Sequence, residues 1–367
     1  MNVANTTVAR SQQTHIWIRA EQRPNEERVG LTPAGAAALI KAGIAVTIEH
    51  SATRALPIAG YIAAGCATAP ENSWPSAPQD AIIFGLKELP EDGTPLHHRH
   101  IMFGHAYKGQ SAGRVLLERF EAGGGTLYDL EYLVGNDGRR VAAFGYWAGF
   151  AGAAISYHCW VAQQHDSIGS AIDRFADKAA LVTALRDAWS GPRPSALIIG
   201  ALGRVGTGAA DFCDAIGVVV TRWDIAETAS GGPFPEVLEH ELFLNCILAR
   251  PGCPVFVPAS ATTAPRALRV IGDIACDPTS DFSPIKVYDE VTTWAEPARR
   301  VHNAPPLDVV AIDNLPSLLP IESSEDYAAQ LLPSLLELVA LDAGVWQRAE
   351  QEFRRHLQLL LEDGTTR

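Results

Sequence analysis

The sequence has no excess of basic residues. Its 367 residues include 29 Lys and Arg against 42 Asp and Glu, for a formal net charge of −13 at pH 7. A nucleic-acid-binding chain needs a basic face to neutralise phosphates, so this balance argues against such a partner. Small anionic substrates remain compatible, because a few local Arg and Lys side chains can outweigh the global field.

Paired cysteines are also lacking. None of the cysteines stands in a Cys-x-x-Cys pair; the six are Cys66, Cys159, Cys213, Cys246, Cys253 and Cys276. This spread is typical of buried reduced thiols rather than of a disulfide framework or a zinc site. We therefore expect a cytoplasmic protein without a bound metal.

Long apolar segments are missing as well. Residues 1–15 are polar and contain no apolar stretch of the kind a secretory signal needs, so no signal peptide is expected. The uncharged run Val141–Tyr157 is short for a membrane span, which needs about 20 residues. It also holds three glycines, a serine and two tyrosines. We interpret it as a buried helix between domains, not a membrane anchor.

What is present is a globular composition with short apolar runs. Hydrophobic residues make up 47% and charged residues 19%, and the length suggests two domains. The runs alternate with helix-like stretches such as Pro33–Lys41, which predicts βαβ units and parallel sheets in an α/β fold. The predicted strands are His15–Ile18, Ala45–Glu49, Ala81–Leu86, Ile101–Phe103, Thr126–Leu130, Ser195–Ile199, Gly217–Thr221, Leu242–Ile247 and Val270–Ile274.

A glycine-rich loop follows the strand Ser195–Ile199 and precedes an apparent helix, Ala209–Ala215. Its Gly-x-x-Gly-x-x-Gly spacing lets backbone N–H groups approach a pyrophosphate at a helix N-terminus. Asp224 ends the next strand, near the usual separation of about 20 residues, and favours NAD over NADP, although Arg222 weakens this preference. The alternative is an ordinary turn with Asp224 capping a helix. The predicted cofactor-binding residues are Gly200, Leu202, Gly203, Arg204, Val205, Gly206 and Asp224.

Ionisable residues follow the strands of the first half. They are Arg19 to Arg28, Lys87, His105 with Lys108, and Glu131. Carboxyl ends of parallel strands share one edge, so these groups should meet there. Arg and Lys would clamp substrate carboxylates, and a crowded Lys–His pair would leave one member uncharged as a base.

Each of these residues also has a simpler interpretation. Arg19 and Arg28 could form surface salt bridges, Lys87 could lie in a solvated turn, and His105 could be a satisfied core histidine. His97, His98 and His100 are expected in a polar loop. The shared position at strand ends favours a site over these separate alternatives.

Seven segments, in order, closely resemble the NAD-dependent, lysine-forming saccharopine dehydrogenases, and more distantly the alanine dehydrogenase and transhydrogenase group. The resemblance runs from about residue 15 to about residue 355 and rests on the combination of motifs. The segments are Arg19–Pro33, Gly85–Glu88, His105–Lys108, Gly125–Glu131, Gly138–Gly145, Gly200–Arg204 and Ile312–Pro320.

The resemblance implies two Rossmann-like domains with the active site in the cleft between them. Residues 1–140 plus 321–367 would form the substrate domain, and residues 141–320 the NAD-binding domain. The implied reaction oxidises saccharopine to an imine, which is hydrolysed to lysine and 2-oxoglutarate. Lys87 and His105 would be the acid–base pair. The implied substrate site contains Arg28, Lys108, Glu131, Arg140 and Asp313, with Arg23 and Glu26 close by.

Departures from the family pattern leave other substrates open. Arg23 stands where the family usually has lysine, Val205 replaces a cysteine of some fungal members, and residues 276–281 differ. The alternatives are a related opine-like secondary amine, an alanine-dehydrogenase-like deaminase, and a nucleotide-binding protein without catalysis. The protein is expected to act as a monomer or small homo-oligomer.

Overall fold

A computed structural model describes residues 13–107 and 111–365. The chain divides into two compact units, one of residues 1–143 with 324–367 and one of residues 144–323. The strands are β1 (His15–Ile18), β2 (Ala45–Glu49), β3 (Ala67–Ala69), β4 (Ile82–Phe84), β5 (Arg99–Met102), β6 (Thr126–Asp129), β7 (Ser195–Ile199), β8 (Val219–Trp223), β9 (Leu242–Asn245), β10 (Val270–Asp273), β11 (Arg299–Asn303) and β12 (Pro306–Val310). The helices are α1 (Pro33–Lys41), α2 (Ile58–Ala63), α3 (Ser111–Gly123), α4 (Gly145–Gln164), α5 (Lys178–Asp187), α6 (Arg204–Ile216), α7 (Ile225–Thr228), α8 (Pro235–Glu239), α9 (Pro320–Leu336) and α10 (Gly344–Thr365).

The first unit is built on a six-stranded sheet with the order β3-β2-β1-β4-β5-β6. All of its pairings are parallel. Apolar side chains from α3 and α10, including Phe120 and Phe353, pack in one core with Met102 and Leu127 of the sheet. Because the strands are parallel, their carboxyl ends open at one edge, where the loops that carry ionisable side chains begin.

The second unit has a sheet with the order β11-β12-β10-β9-β7-β8. Its pairings are parallel except that β11 runs antiparallel to β12. The largely buried helix α4 packs against α6 at glycines: a Cβ on Gly149 would lie 1.8 Å from the Val205 carbonyl oxygen. Small residues therefore allow the two backbones to touch and support the loop that precedes α6.

Local sequence signals account for several element boundaries. Thr32 caps α1 by accepting from the Gly35 N–H at 3.1 Å, and Pro33 occupies the first turn, where its missing N–H has no consequence. Helix α6 ends at Gly217, whose φ of +80° suits a left-handed cap. Because Gly217 belongs to this cap, β8 begins only at Val219 and ends at Trp223. The strand predicted at Gly217–Thr221 therefore begins two residues too early.

The predicted α/β class with largely parallel sheets is confirmed, and β1, α1, β2 and β7 lie where the sequence indicates. The polar loop expected around His100 is wrong. His100 lies inside β5, is 1% exposed and packs edge-on against Trp74 and Phe120. Burial holds the pKa of this imidazole well below its ordinary value.

The uncharged run predicted as a buried helix over Val141–Tyr157 forms α4, which begins at Gly145 and continues to Gln164. Within residues 13–107 and 111–365, no helix is both long enough and apolar enough to span a bilayer. The pattern of apolar runs did not predict strands β3, β11 and β12. Arg299–Asn303 is only half-buried along its length and has no continuous apolar run.

Candidate active site

The glycine loop of the second unit lies directly between β7 and α6. Gly200 has φ +87°, a left-handed conformation that favours glycine. A Cβ at Gly206 would come within 2.2 Å of the Gly200 carbonyl oxygen. A Cβ at Gly203, by contrast, would meet this oxygen at an ordinary 3.4 Å. Gly200 and Gly206 are therefore needed for the shape of the loop. The space beside the Cα atom of Gly203 is open, so a ligand could approach the backbone there.

Helix α6 begins at Arg204, one residue after Gly203. Among the described residues, no side chain caps this helix, and its first turn contains no acidic residue. The backbone N–H groups of this first turn and the positive end of the helix dipole suit a phosphate. Leu202 is 83% exposed, while Val205 packs on the buried core. The Val205 side chain thus attaches the loop to the core of the second unit, and the backbone of the loop remains accessible.

Asp224 directly follows β8 and contacts the glycine loop. Its Oδ2 accepts from the Leu202 N–H at 2.9 Å and its Oδ1 from the Ile225 N–H at 2.9 Å. Asp224 also caps α7, with Glu227 accepting from the Asp224 N–H at 2.7 Å. Asp224 therefore does cap a helix, as the alternative interpretation predicted, but this role does not exclude ribose binding. The capping box adds the Glu227 N–H as a third donor, so about one of the four lone-pair sites of the carboxylate remains for a ribose hydroxyl.

A cavity of about 300 Å³ adjoins Asp224 and the start of the loop. Two of its lining residues are apolar yet exposed, Ile225 at 81% and Leu248 at 66%. Exposed apolar side chains around a concave surface are typical of a site for a flat aromatic group. With the phosphate-binding loop and Asp224, this cavity has the parts that an adenine dinucleotide needs, so the residues present fit NAD.

Lys87 in the first unit follows β4 and is 9% exposed. Its backbone is held from two sides. The Glu21 carboxylate accepts from the Leu86 N–H at 2.6 Å and from the Lys87 N–H at 3.0 Å. The buried Arg19 guanidinium donates to the Lys87 carbonyl oxygen. Arg19 is thus a buried anchor for the lysine turn and not a surface salt-bridge residue.

Arg28 and Glu26 form a buried, two-point ion pair. Glu26 accepts from Arg28 Nε at 2.8 Å and from Arg28 Nη2 at 2.6 Å, with both residues at most 3% exposed. Burial alone would raise the pKa of Glu26, but the charge and hydrogen bonds of Arg28 and the charge of Lys87 lower it below its ordinary value. Glu26 is therefore ionised beside Lys87.

His105 and Glu131 form the second cluster, with Arg140. His105 Nδ1 lies 3.4 Å from Glu131 Oε2, and Arg140 donates to Glu131 Oε1 at 2.7 Å. His105 has φ +48°, an uncommon conformation for a residue with a side chain and one that clusters at functional sites. Its imidazole is 41% exposed, so it is accessible.

Lys87 and His105 leave the sheet from neighbouring strands. The pairing of β4 with β5 continues past the strands, since the Phe103 N–H donates to the Leu86 carbonyl oxygen at 2.8 Å. The residues that follow this last bond are Lys87 on one side and Gly104 and His105 on the other. The structure thus brings the two predicted acid–base residues to adjacent turns.

Two residues near this edge were missed by the sequence. Tyr327 of α9 is fully buried, and its ring lies 6.0 Å from that of Phe103. Burial and the charge of Asp129 raise the pKa of Tyr327, and Arg140 and Arg28 oppose this rise, so the phenol lies near both arginines. Asp129, the last residue of β6, is fully buried. Neither residue has a local sequence signal, because the contacts come from distant segments.

The remaining predicted residues are placed as follows. Arg23 lies 3.3 Å from Glu88 in a half-exposed pair. Lys108 lies outside the described residues. Asp313 belongs to the second unit, follows β12 and is exposed. Within the described residues, no group of three or more His, Cys, Asp or Glu side chains could hold a metal ion.

A Rossmann-type unit with a glycine loop that fits a dinucleotide, and a parallel unit with ionisable residues at its strand ends, are features of the class of nicotinamide-dependent dehydrogenases. The family model "Alanine dehydrogenase/PNT, N-terminal domain" matches residues 17–151. A solved L-alanine dehydrogenase has the same fold, with a TM-score of 0.67 at 18% identity, covering 95% of this chain and 99% of that one.

Curated relatives narrow this class to one family. The saccharopine dehydrogenase [NAD(+), L-lysine-forming] of Schizosaccharomyces pombe is 46% identical over 365 residues, covering 94% of this chain and 99% of the relative. The enzyme of the same name from Candida glabrata is 42% identical over 358 residues, covering 93% and 96%. This chain belongs to the NAD-dependent, lysine-forming saccharopine dehydrogenases, and the predicted resemblance is confirmed.

Proposed function

We propose that this protein oxidises the secondary amine of saccharopine with NAD, yielding L-lysine and 2-oxoglutarate, and also runs the reverse condensation. The observation that carries the proposal is the pair Lys87 and His105 on adjacent turns, each beside an Arg–Glu pair. Saccharopine has three carboxylates and two amines, so cationic and anionic groups are both needed to orient it. Membership of the family supports the same reaction.

NAD is proposed to bind the second unit through the glycine loop and Asp224. Gly200, Leu202, Gly203, Arg204, Val205 and Gly206 would surround the pyrophosphate, and Asp224 would accept from the ribose hydroxyls. Bound NAD supplies a hydride acceptor for the carbon beside the substrate nitrogen. A carboxylate at Asp224 repels a 2′-phosphate, which supports NAD over NADP.

The protein's own groups would move the protons. One of Lys87 and His105 removes the amine proton, so that the nitrogen lone pair can form the C=N bond as hydride leaves carbon. Water then adds to the imine carbon, and protonation of the nitrogen lets the C–N bond break to release lysine and the oxo acid. The two residues act as a coupled pair, so each proton belongs to the pair.

The contacts of His105 indicate which of its nitrogens would react. With Nδ1 directed at Glu131 Oε2, an Nδ1–H donor is favoured and Nε2 is left as the basic atom. Glu131 is itself held by Arg140. The imidazole is thus oriented by a carboxylate that has a second anchor.

Substrate recognition is proposed to use both signs of charge. Arg23, Arg28, Lys108 and Arg140 would bind carboxylates, while Glu26, Glu131 and Asp313 would face amines. Arg28 is pre-organised by its two bonds to Glu26, so little side-chain entropy would be lost on binding. The domain roles follow: residues 1–140 plus 321–367 for the substrate and residues 141–320 for NAD.

We further propose a cytoplasmic enzyme that acts as a monomer or small homo-oligomer without nucleic-acid partners. All six cysteines are free thiols, as a reducing compartment requires. The net charge of −13 disfavours phosphate backbones. Light scattering of the protein as it elutes from a size-exclusion column would measure the oligomeric state.

The test is an NADH-consumption screen of amines against 2-oxo acids. Lysine with 2-oxoglutarate should oxidise NADH, and saccharopine with NAD should form it, with NADPH a much poorer substitute. Turnover confined to other amine and oxo-acid pairs would point to another opine, and turnover with ammonia to an amino acid deaminase. Either result would overturn the saccharopine assignment while the hydride chemistry stood.

A further inference from the structure

Asp129 is a buried carboxyl group that the mechanism above does not use. It is the last residue of β6 and has no exposed surface. Burial raises the pKa of Asp129 to about 6, against opposing hydrogen bonds from the Glu131 and Gly104 backbones. Asparagine would fill the same space without a charge. A buried carboxylate that disfavours folding therefore suggests a role in function.

The two oxygens of Asp129 connect both turns of the acid–base site. Oδ1 accepts from the Glu131 N–H at 2.9 Å. Oδ2 lies against Gly104, where a Cβ would come within 3.2 Å of it. Strand pairing of Met102 with Asp129 brings these segments together. The carboxyl group thus bonds to the backbone of Glu131, the residue that contacts the His105 ring, and lies near enough to His105 for the two charges to interact.

Three tyrosines near Asp129 remain uncharged. Burial raises the pKa of Tyr107, Tyr132 and Tyr327, and the Asp129 charge adds to each rise. Among the described residues, the charged or titratable groups that face Asp129 are His105 and Tyr107 after β5, Glu131 and Tyr132 after β6, and Tyr327 from α9. From helix α10, His356 stacks on Tyr107 at 4.3 Å, and the charge of Glu352 adds to the raised pKa of Tyr107 and Tyr132.

We propose that Asp129 is a positioning residue for the reaction: its carboxylate fixes the Glu131 turn and places a negative charge near His105. This inference rests on the proposed role of His105 as a proton carrier. When the imidazole takes up a proton, the buried carboxylate nearby stabilises the cation, because water screens a buried charge less than an exposed one. Asp129 need not touch the substrate to do this.

The pH dependence follows from the raised pKa of Asp129. Below about pH 6 the carboxyl group is protonated and its charge near His105 disappears. Because the folded-state pKa exceeds the ordinary value of 3.8, the charged form destabilises the fold, and this destabilisation is present above about pH 6. Removing the charge should therefore impair catalysis while leaving the melting temperature above pH 6 equal or higher.

The experiment compares the full chain with Asp129→Asn, Asp129→Glu and a matched control, Asp308→Asn. Asp308 is equally buried but lies in the second unit, where it pairs with Arg300 at 2.8 Å and with Gln163 at 2.7 Å. For Asp129→Asn we expect kcat about 10-fold lower at pH 8, with KM changed less than about twofold, and loss of the inflection near pH 6. Asp129→Glu should restore part of kcat.

Two measurements, the His105 titration and the melting temperature, test the role of Asp129 without depending on turnover of saccharopine. NMR titration of the His105 ring, assigned with His105→Gln, should move its midpoint to lower pH in Asp129→Asn and leave it unchanged in Asp308→Asn. If wild-type protein fails to turn over saccharopine, the proposed function fails, while this titration still decides the role of Asp129. An unchanged His105 titration, or a fall in melting temperature that explains the lost kcat, would overturn the inference.

Discussion

The two units use the same edge of similar sheets in opposite ways. In the second unit, the groups at the strand ends are mainly backbone: a glycine loop, the N-terminus of α6 and the single carboxylate of Asp224. In the first unit they are side chains, arranged as Arg28 with Glu26 and as Arg140 with Glu131. Backbone donors suit a phosphate that every nicotinamide dinucleotide has, whereas side chains can be matched to one substrate.

Because of this difference, different kinds of substitution should damage the two sites. A backbone site depends on the absence of Cβ atoms, because Gly206 leaves no room beside the Gly200 carbonyl. A side-chain site depends on charge balance, since a buried ion that loses its partner is strongly destabilising. The sharpest way to test the comparison is to remove groups from one unit and measure the property assigned to the other.

The largest effect is expected from Lys87→Met and His105→Gln. Each should lower kcat by about 10²- to 10⁴-fold, the range for loss of a general acid or base. NADH affinity, measured by fluorescence titration, should stay unchanged because the dinucleotide groups belong to the other unit. The exposed residues Lys41 and His97 provide matched controls, Lys41→Met and His97→Gln, which should keep wild-type kcat.

Near-normal turnover in both variants would contradict the acid–base role of Lys87 and His105. It would also contradict the proposal that the first unit provides the acid–base groups and the second binds NAD. A parallel loss of NADH affinity would show that these side chains also shape the cofactor site. Only a selective loss of kcat supports the comparison as drawn.

A smaller but still large effect is expected from the first-unit ion pairs, which differ in burial. Arg28→Met leaves Glu26 buried without its partner and should destabilise the protein by about 3–5 kcal/mol. Arg140→Met breaks a pair whose arginine is 43% exposed, and should change stability by less than about 1 kcal/mol. Both variants should raise KM for 2-oxoglutarate. Denaturant unfolding and steady-state kinetics measure the two properties.

The pH dependence of the Arg28 effect has a definite sign. The pKa of Glu26 is lowered below its ordinary value of 4.5, so the stabilisation by this pair is present above that pH and disappears as the pH falls through the folded-state pKa. The stability difference between wild type and Arg28→Met should therefore be largest near neutrality and shrink below pH 4.5. A difference that does not vary with pH would mean that packing, not charge, explains it.

The same contrast between backbone and side chains explains how much could be predicted from the sequence. Strands β1, β2 and β7 are short apolar runs bounded by clear turn signals, and the glycine spacing marks its loop directly. These features are local, so a window of a few residues contains the information. Lys87, His105 and Glu131 lie just beyond strand ends, but their roles stay predictions.

What failed was set by contacts distant in sequence. His100 looked polar beside His97 and His98, yet Trp74 and Phe120 enclose its ring. Strand β11 lies at a sheet edge, where half-burial leaves no apolar run. Asp129 and Tyr327 come together from β6 and α9, so neither could be recognised as part of the site before the fold was known.

The smallest effect, and the finest test of the backbone site, compares two glycines of one loop. A Cβ at Gly206 would lie 2.2 Å from the Gly200 carbonyl oxygen, so Gly206→Ala must shift the loop and should lower both the melting temperature and NADH affinity. A Cβ at Gly203 meets only an ordinary 3.4 Å contact. Gly203→Ala should therefore leave the melting temperature unchanged and weaken NADH binding about 10-fold by blocking the approach of the pyrophosphate.

Gly145→Ala is the control for a methyl group added nearby, because its Cβ would also find contacts no closer than 3.4 Å. It precedes the packed part of α4 and should alter neither property. If Gly203→Ala binds NADH as tightly as wild type, the pyrophosphate does not approach the outer side of this turn. The backbone site would then have to lie elsewhere along α6, and the contrast between a backbone-built and a side-chain-built edge would lose its main support.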